Sequence, residues 1–516
     1  MMKKRILAFS IAAMLCCSVS HAQSFELENV SDGKISGLMM SPDQETFCTI
    51  HIEKTEEEGA AYFIAFYNHQ MMEMKKARLD ISVTSTLLAS KFSGEIAAIV
   101  VADADKKTRT LLTIDRQGNI MQKKEEENVL PQLLKKDAYI GLYSLTPSEF
   151  VMVTATRPDG TAYSIERFSM VLDVANTVEV KPEKGKITIE QVNVVNDNVY
   201  LLCRETSGLN SGRTDYVVKA ISTAEGKVKY SAKFGDGSES GLPGGMRVNN
   251  DMTVDLTGLI FNEGDFDKAP DGIIWGSIDV NGNPMYTRKL WPELLERNNN
   301  KIIKDLSTGK LNVLLQDRFR MPGSENIVLL GETFEKSNGG AGTANFTIKD
   351  FVLIKFTTDG EFANAQVIEK TPKLATVRGT GATGSSYLVA EKLHSKNYFT
   401  YRTNVQAGDK ANIVYRYNDG KTDMAYTLSV SDSLVDKKGI VAIPLNGEEG
   451  SVVKEGKQPK KGGEKGITPS TMEIDLDNEN NSEHNNSLTL MKENHALVQR
   501  YKNGSFSARI IGLPVN

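Results

Sequence analysis

The chain has 516 residues with 61 basic and 66 acidic side chains, a net charge of −5, and 40% hydrophobic residues. This mildly acidic balance argues against a nucleic-acid role, which usually shows a basic stripe or face. The length is ample for a large core, and repeat folds of this size grow as one body.

Lys3, Lys4 and Arg5 precede an apolar stretch from Ile6 to Cys17, and Ser20-His21-Ala22 follows. That order of charged, apolar and small residues reads as a signal peptide over 1–22, with the mature chain starting at Gln23. The apolar stretch is shorter than the roughly 20 residues a bilayer span needs. Lipidation at Cys16 or Cys17 is disfavoured because Leu15 stands where a lipobox wants a small residue. No later segment is apolar enough to span a membrane. Cleavage leaves 58 basic and 66 acidic side chains, a net charge of −8. The protein is therefore expected to be periplasmic, on the outer surface or secreted. Two cysteines survive cleavage, Cys48 and Cys203, both in apolar strand-like runs and read as buried free thiols.

From Gln23 onward one β unit recurs. Its turn-bound strands are Ala61–Tyr67, Leu111–Asp115, Phe168–Asp173, Tyr216–Ser222, Ile273–Asp279, Phe351–Thr357 and Gly439–Pro444. Gly118, Gly226, Gly282, Gly360 and Gly447 supply the positive φ of the following turns, and Asn176 is expected to do so in the third unit. Strands earlier in the units, such as Ile96–Ala102 and Asn198–Cys203, are continuous apolar runs, as expected when both faces are buried. Leu130-Pro-Gln-Leu-Leu and Trp291-Pro-Glu-Leu-Leu each read as a helical turn linking one unit to the next. The pattern predicts an all-β β-propeller of about seven four-stranded blades, residues 23–516 forming one domain. Eight blades, or a smaller propeller with a β-sandwich, are the alternatives. Near the end, Ser487–Met491, Ala496–Tyr501 and Phe506–Ile511 either close the ring against Phe25–Leu27 or form an eighth blade. Residues 448–486 are rich in Glu, Lys, Gly, Asn and Ser and read as a mobile insertion, with a short strand over Thr471–Asp475.

Candidate chemistry is sparse. Gly379-Thr-Gly381-Ala-Thr-Gly384 matches G-x-G-x-x-G, between a candidate strand Lys373–Arg378 and a helical run Tyr387–Leu393. No acid ends a second strand at the right distance and no βαβ run surrounds it, so it reads as a loop between blades. Cys48 and His51 lie three apart on a strand and point to opposite faces. His51, His69, His394, His484 and His495 show no metal-ligand spacing. Asp265, Asp267 and Asp271, and Asp475, Asp477 and Glu479, read as solvated loops, since the second set has Asn480 and Asn486 where a calcium loop wants Gly and Glu. Ser31-x-x-Lys34 lacks partner motifs. Trp275, Trp291 and the tyrosines read as packing residues, with a sugar groove as the other reading. No catalytic, cofactor-binding or metal-ligating residue is assigned, and no cofactor is expected.

The segments Asn326–Phe334, Asp350–Phe356, Asn412–Asp419 and the tail from Thr468-Pro-Ser470 to Gly512 resemble a group of uncharacterised, exported β-propeller-like proteins of Bacteroidota. The resemblance implies fold and export and brings no activity or site residues. The leading expectation is a non-enzymatic exported scaffold binding a protein or glycan ligand through its blade loops. The alternative is a secreted hydrolase acting on glycan or peptide, with carboxylates at the central channel. Carboxylates gathered in one cleft, some with raised pKa, would mark the hydrolase.

Overall fold

A computed structural model describes residues 23–513, except 445–471, 476–486 and loop segments of one to five residues. The described residues form eight sheets, six of them built from four strands in strict chain order. Each first strand neighbours the first strand of the next sheet, so these strands ring the axis of a β-propeller. In chain order they are Leu38–Met40, Thr86–Phe92, Tyr139–Thr146, Lys186–Val195, Glu239–Val248, Asn312–Arg320, Tyr401–Ala407 and Leu488–Leu490. About seven sheets were expected. The eighth comes from the tail, whose strands Leu488–Leu490, His495–Lys502 and Ser505–Gly512 are completed by Gln23–Leu27. Pairing of Phe25 with Ala508 and of Leu27 with Phe506 joins the two ends of the chain. The two fates proposed for the tail are thus one.

The second strand of each unit lies between two partners and is buried on both faces. Every residue of Ile96–Asp103 is buried, whereas the outer strand Ile120–Glu126 is exposed over nearly its whole length. The turn glycines behave as expected where described: Gly118, Gly226, Gly282 and Gly360 have φ of 82°, 65°, 89° and 77°. Two details differ. In the third unit Leu172 takes the positive φ (62°), while Asn176 lies in the outer strand and its amide holds the carbonyls of Thr223 and Ala224 in the next sheet. In the seventh unit, Leu434–Pro444 is the outer strand, and Asp423–Ser431 is the third. Gly447 lies outside the described residues, as do 1–22 and most of 448–486.

Both Pro-x-Leu-Leu segments form helical turns, Pro131–Leu134 and Trp291–Arg297, between successive sheets. Cys48 and Cys203 are free and fully buried, in the first and fourth sheets.

The sixth sheet departs from the pattern. Its hairpin strands Ile327–Gly340 and Thr343–Phe356 run past the outer strand, and the far end of the second, Ala344 to Ile348, pairs with Lys373–Arg378. That strand pairs in parallel with Met472–Asp475, where a short strand was expected. At the departure point Glu332 is fully buried, 2.9 Å from Lys370 Nζ, and accepts from the backbone N–H groups of Thr400 and Tyr401 at 3.2 and 2.7 Å. This extension delivers the helix Ser386–Ser395 to the ring. Ser385 caps the helix and also donates to the Phe266 carbonyl. Tyr387 packs edge-on against Phe261 and Phe334, at centroid distances of 5.0 and 5.3 Å.

Candidate functional site: a carboxylate-lined cleft

An interrupted pairing recurs on the inner strands. Register shifts leave Leu88, Ile140, Glu190, Gly244, Gln316 and Arg402 each unopposed in the second to seventh sheets. A β-bulge of this kind bends the strand and re-aims the extra side chain. The last four of these residues line one cleft of 430 Å³, within the size range of small-molecule sites. Its walls are the inner strands of the fourth to seventh sheets, and the helix Ser386–Ser395 closes one side with Glu391 and His394. These two lie three apart and share a helix face. Across the ring, the first three sheets and the eighth line a second cavity of 540 Å³ that has no carboxylate. It includes Met39, Tyr139, Tyr143 and Lys91, whose amine burial pulls down.

Four carboxylates line the first cleft: Glu190, Asp255, Asp317 and Glu391. Glu391 is 6% exposed, and one of its oxygens has no hydrogen-bond partner among the described residues. Burial pushes its carboxyl up to about 8, and the neighbouring charge of Glu190 adds to the effect, with Arg204 opposing. Arg204 Nε lies 2.9 Å from Glu190 Oε1. The fully buried Tyr216 hydroxyl faces Glu391 closely enough to act on its charge, without a hydrogen bond of standard geometry. Asp255 behaves oppositely. Burial would raise its carboxyl, but Arg318 at 2.6 Å and Arg247 at 3.0 Å hold it below the usual range. Asp317 accepts from Asn404 at 2.6 Å and from the Tyr401 hydroxyl. Burial lowers the His394 imidazole and Arg402 lowers it further, while Glu332 and the Gly244 carbonyl oppose this. One cleft therefore holds an acid kept protonated at neutral pH beside carboxylates paired with arginines.

Gly244 sets the wall between the fifth and sixth sheets. A Cβ there would lie 1.4 Å from the Leu315 carbonyl oxygen, so backbone packs directly on backbone beside Gln316.

The residues singled out from sequence fall elsewhere, with one exception. Gly379 to Gly384 does run from a strand into a helix, though Thr380, Gly381 and Thr383 lie outside the described residues. The strand pairs antiparallel with the hairpin, and its parallel partner Met472–Asp475 follows only after the four strands of the seventh sheet, so no βαβ unit forms. His394 enters the cleft on that helix. His51 is fully buried and bonds Glu53 at 2.8 Å, while Cys48 packs in a separate apolar cluster. Asp265 pairs with Lys268 at 2.9 Å and Asp271 accepts from Asn262. Asp477 and Glu479, like Ser31, lie outside the described residues, and Lys34 donates to carbonyls of Val83 and Ser85. No group of three metal-ligating side chains occurs among the described residues. Trp275 and Trp291 are each 2% exposed and pack in the core. Sequence reasoning missed Glu190, Gln316 and Glu391. A signal existed for Glu190: the apolar residues Ile187, Ile189, Val192 and Val194 slip phase at the bulge.

No family model and no curated protein matches the chain. Three solved structures share its architecture at a distance. A structure described as dipeptidyl aminopeptidase IV from Bacteroides ovatus is 10% identical, with 64% of this chain and 50% of that chain covered, at a TM-score of 0.36. A post-proline cleaving enzyme from Rickettsia typhi is 9% identical, with coverages of 79% and 50%, at 0.31. Prolyl oligopeptidase B from Galerina marginata is 12% identical, with coverages of 57% and 38%, at 0.30. The chain spans about half the length of the first two, and at this level the likeness concerns fold alone. The cleft contains the gathered carboxylates, one with raised pKa, that were expected of the hydrolase. The expectation of a non-enzymatic binding scaffold is corrected accordingly, in favour of the hydrolase alternative.

Proposed function

We propose that the protein is an exported hydrolase acting on a peptide or glycan held in the carboxylate-lined cleft, with Glu391 as proton donor. The observation that supports this is the Glu391 carboxyl, pushed up to about 8 by burial and by Glu190. A carboxylic acid that keeps its proton at neutral pH is suited to general-acid work, and a second carboxylate nearby supplies the base. In this reading a water adds to the reacting carbon and gives a proton to Glu190. The bond to the leaving group breaks, and that group takes the Glu391 proton. Arg204, paired with Glu190, holds the base in place. The signal-peptide pattern of residues 1–22 supports export.

The test is incubation of purified protein with pooled peptides and, separately, pooled oligosaccharides from about pH 5 to about pH 9, products being read by mass spectrometry. Cleavage is expected to fade as pH rises past about 8, and Glu391→Gln to lower it about a hundredfold or more. Cleavage indifferent to Glu391→Gln, or none in either pool, refutes the proposal.

A further inference from the structure

Two glutamines in this protein perform the same task. Gln191 donates from Nε2 to the Met246 carbonyl at 2.6 Å and accepts at Oε1 from the Met246 N–H at 2.8 Å. Gln499 does the same to Leu38, at 3.0 and 2.8 Å. One carboxamide satisfies both polar groups of a single extended residue, because those groups point to the same side of a strand. In both cases the clamped residue belongs to the inner strand of the next sheet.

Gln316 has the same side chain and nothing to clamp. It sits at the bulge of the sixth inner strand and lines the cleft with Glu391. It is only 7% exposed, yet neither Oε1 nor Nε2 has a hydrogen-bond partner among the described residues. A buried amide left open at both ends is rare in folded proteins and calls for a partner. Close packing of Gly244 on Leu315 holds the backbone beside it.

We propose that Gln316 clamps one residue of an extended peptide, which makes peptide, rather than glycan, the substrate class of this cleft. The peptide's N–H and C=O would meet Gln316 as Met246 meets Gln191. The acetamido group of a sugar is a trans amide whose N–H and C=O point apart, so one carboxamide cannot take both. Stacking platforms for sugar rings are also scarce. The tryptophans are in the core, and Tyr401 is the one Phe, Tyr or Trp side chain lining the cleft among the described residues. Leu202, Met246 and Leu256 are among the apolar side chains of the cleft's lining. The step from binding to cleavage rests on the hydrolase reading above; the clamp itself does not.

The experiment uses the whole protein and a pool of acetylated, amidated tripeptides, with cellotriose and chitotriose as competing probes. Saturation-transfer NMR identifies binders and calorimetry measures the best of them. Gln316→Met is expected to weaken peptide binding by about tenfold or more, and Gln316→Glu, which keeps an acceptor and loses the donor, by less. N-methylation of the clamped peptide residue should weaken binding to the wild type and add nothing in Gln316→Met. Peptide binding indifferent to both substitutions overturns the proposal, as does Gln316-dependent binding of a triose alone, or binding of neither probe. Gln316-dependent peptide binding without cleavage leaves the clamp standing and removes the hydrolase. Cleavage whose KM is unchanged by Gln316→Met does the reverse. Unfolding curves of both variants establish that each is folded.

Discussion

Replacing Glu391 by glutamine changes how stability depends on pH, and the size of the change follows from the burial of this side chain. The carboxyl moves from an ordinary value of 4.5 to about 8 in the folded protein. Between these values the folded state holds a proton that the unfolded state has released, so raising the pH favours unfolding. The contribution is complete below about pH 4.5, falls by about 1.4 kcal/mol per pH unit, and is gone above about pH 8. Between pH 4.5 and 7 the wild type should lose roughly 3 kcal/mol from this group. Glutamine has nothing to titrate, so Glu391→Gln lacks that slope. The assay is urea unfolding of both proteins at several pH values from about 4.5 to about 8. The quantity read is the stability of the variant minus that of the wild type. Constant effects of the new amide beside Tyr216 cancel in the pH dependence of that difference. It should rise by roughly 3 kcal/mol up to pH 7 and level off above about 8. A difference that stays flat refutes the claim that Glu391 is buried as an acid.

Gly244→Ala places a Cβ 1.4 Å from a backbone oxygen, while Gly245→Ala meets its nearest atom at 3.6 Å. Denaturant curves should show a loss of about 3 kcal/mol or more for the first and much less for the second. Lys370→Met strands the fully buried Glu332 charge and should lower stability by about 3–5 kcal/mol; a Tm equal to the wild type's would show that Glu332 is not buried as a charge balanced by Lys370. Deleting residues 23–27 uncovers Ser505–Gly512, its hydrogen-bonding partner, and removes the Phe25 ring stacked 4.5 Å from Tyr67. Tm should fall and the open edge should promote self-association, visible by light scattering. An unchanged, monomeric protein would mean that the ring does not depend on this closure.

The β-propeller was legible in the sequence because its causes are local. A strand buried on both faces, such as Ile96–Asp103, must be apolar throughout, and a tight turn such as that at Gly118 needs positive φ. Neither condition depends on distant residues. Errors arose where a local rule had two answers: Leu172, not Asn176, took the positive φ, and the seventh unit was read one strand out of place. The eighth sheet was undecidable from pattern alone, because Gln23–Leu27 pairs with residues almost a whole chain away and carries no mark of its partner.

The cleft was almost illegible for the same reason. Glu190, Gln316 and Glu391 come from two inner strands and a helix that are far apart in the chain, and beyond the phase slip around Glu190 nothing in their neighbours marks them. Their special character is a property of place. An open amide at Gln316 and a protonated acid at Glu391 exist only because folding excludes water there and brings Glu190 close. Sequence by itself determined the repeated strands, their buried faces and their turns, through backbone geometry and the avoidance of water by apolar side chains. Tertiary structure alone decided which polar side chains share one dry space, since burial and charge proximity depend on distances that arise when the ring closes.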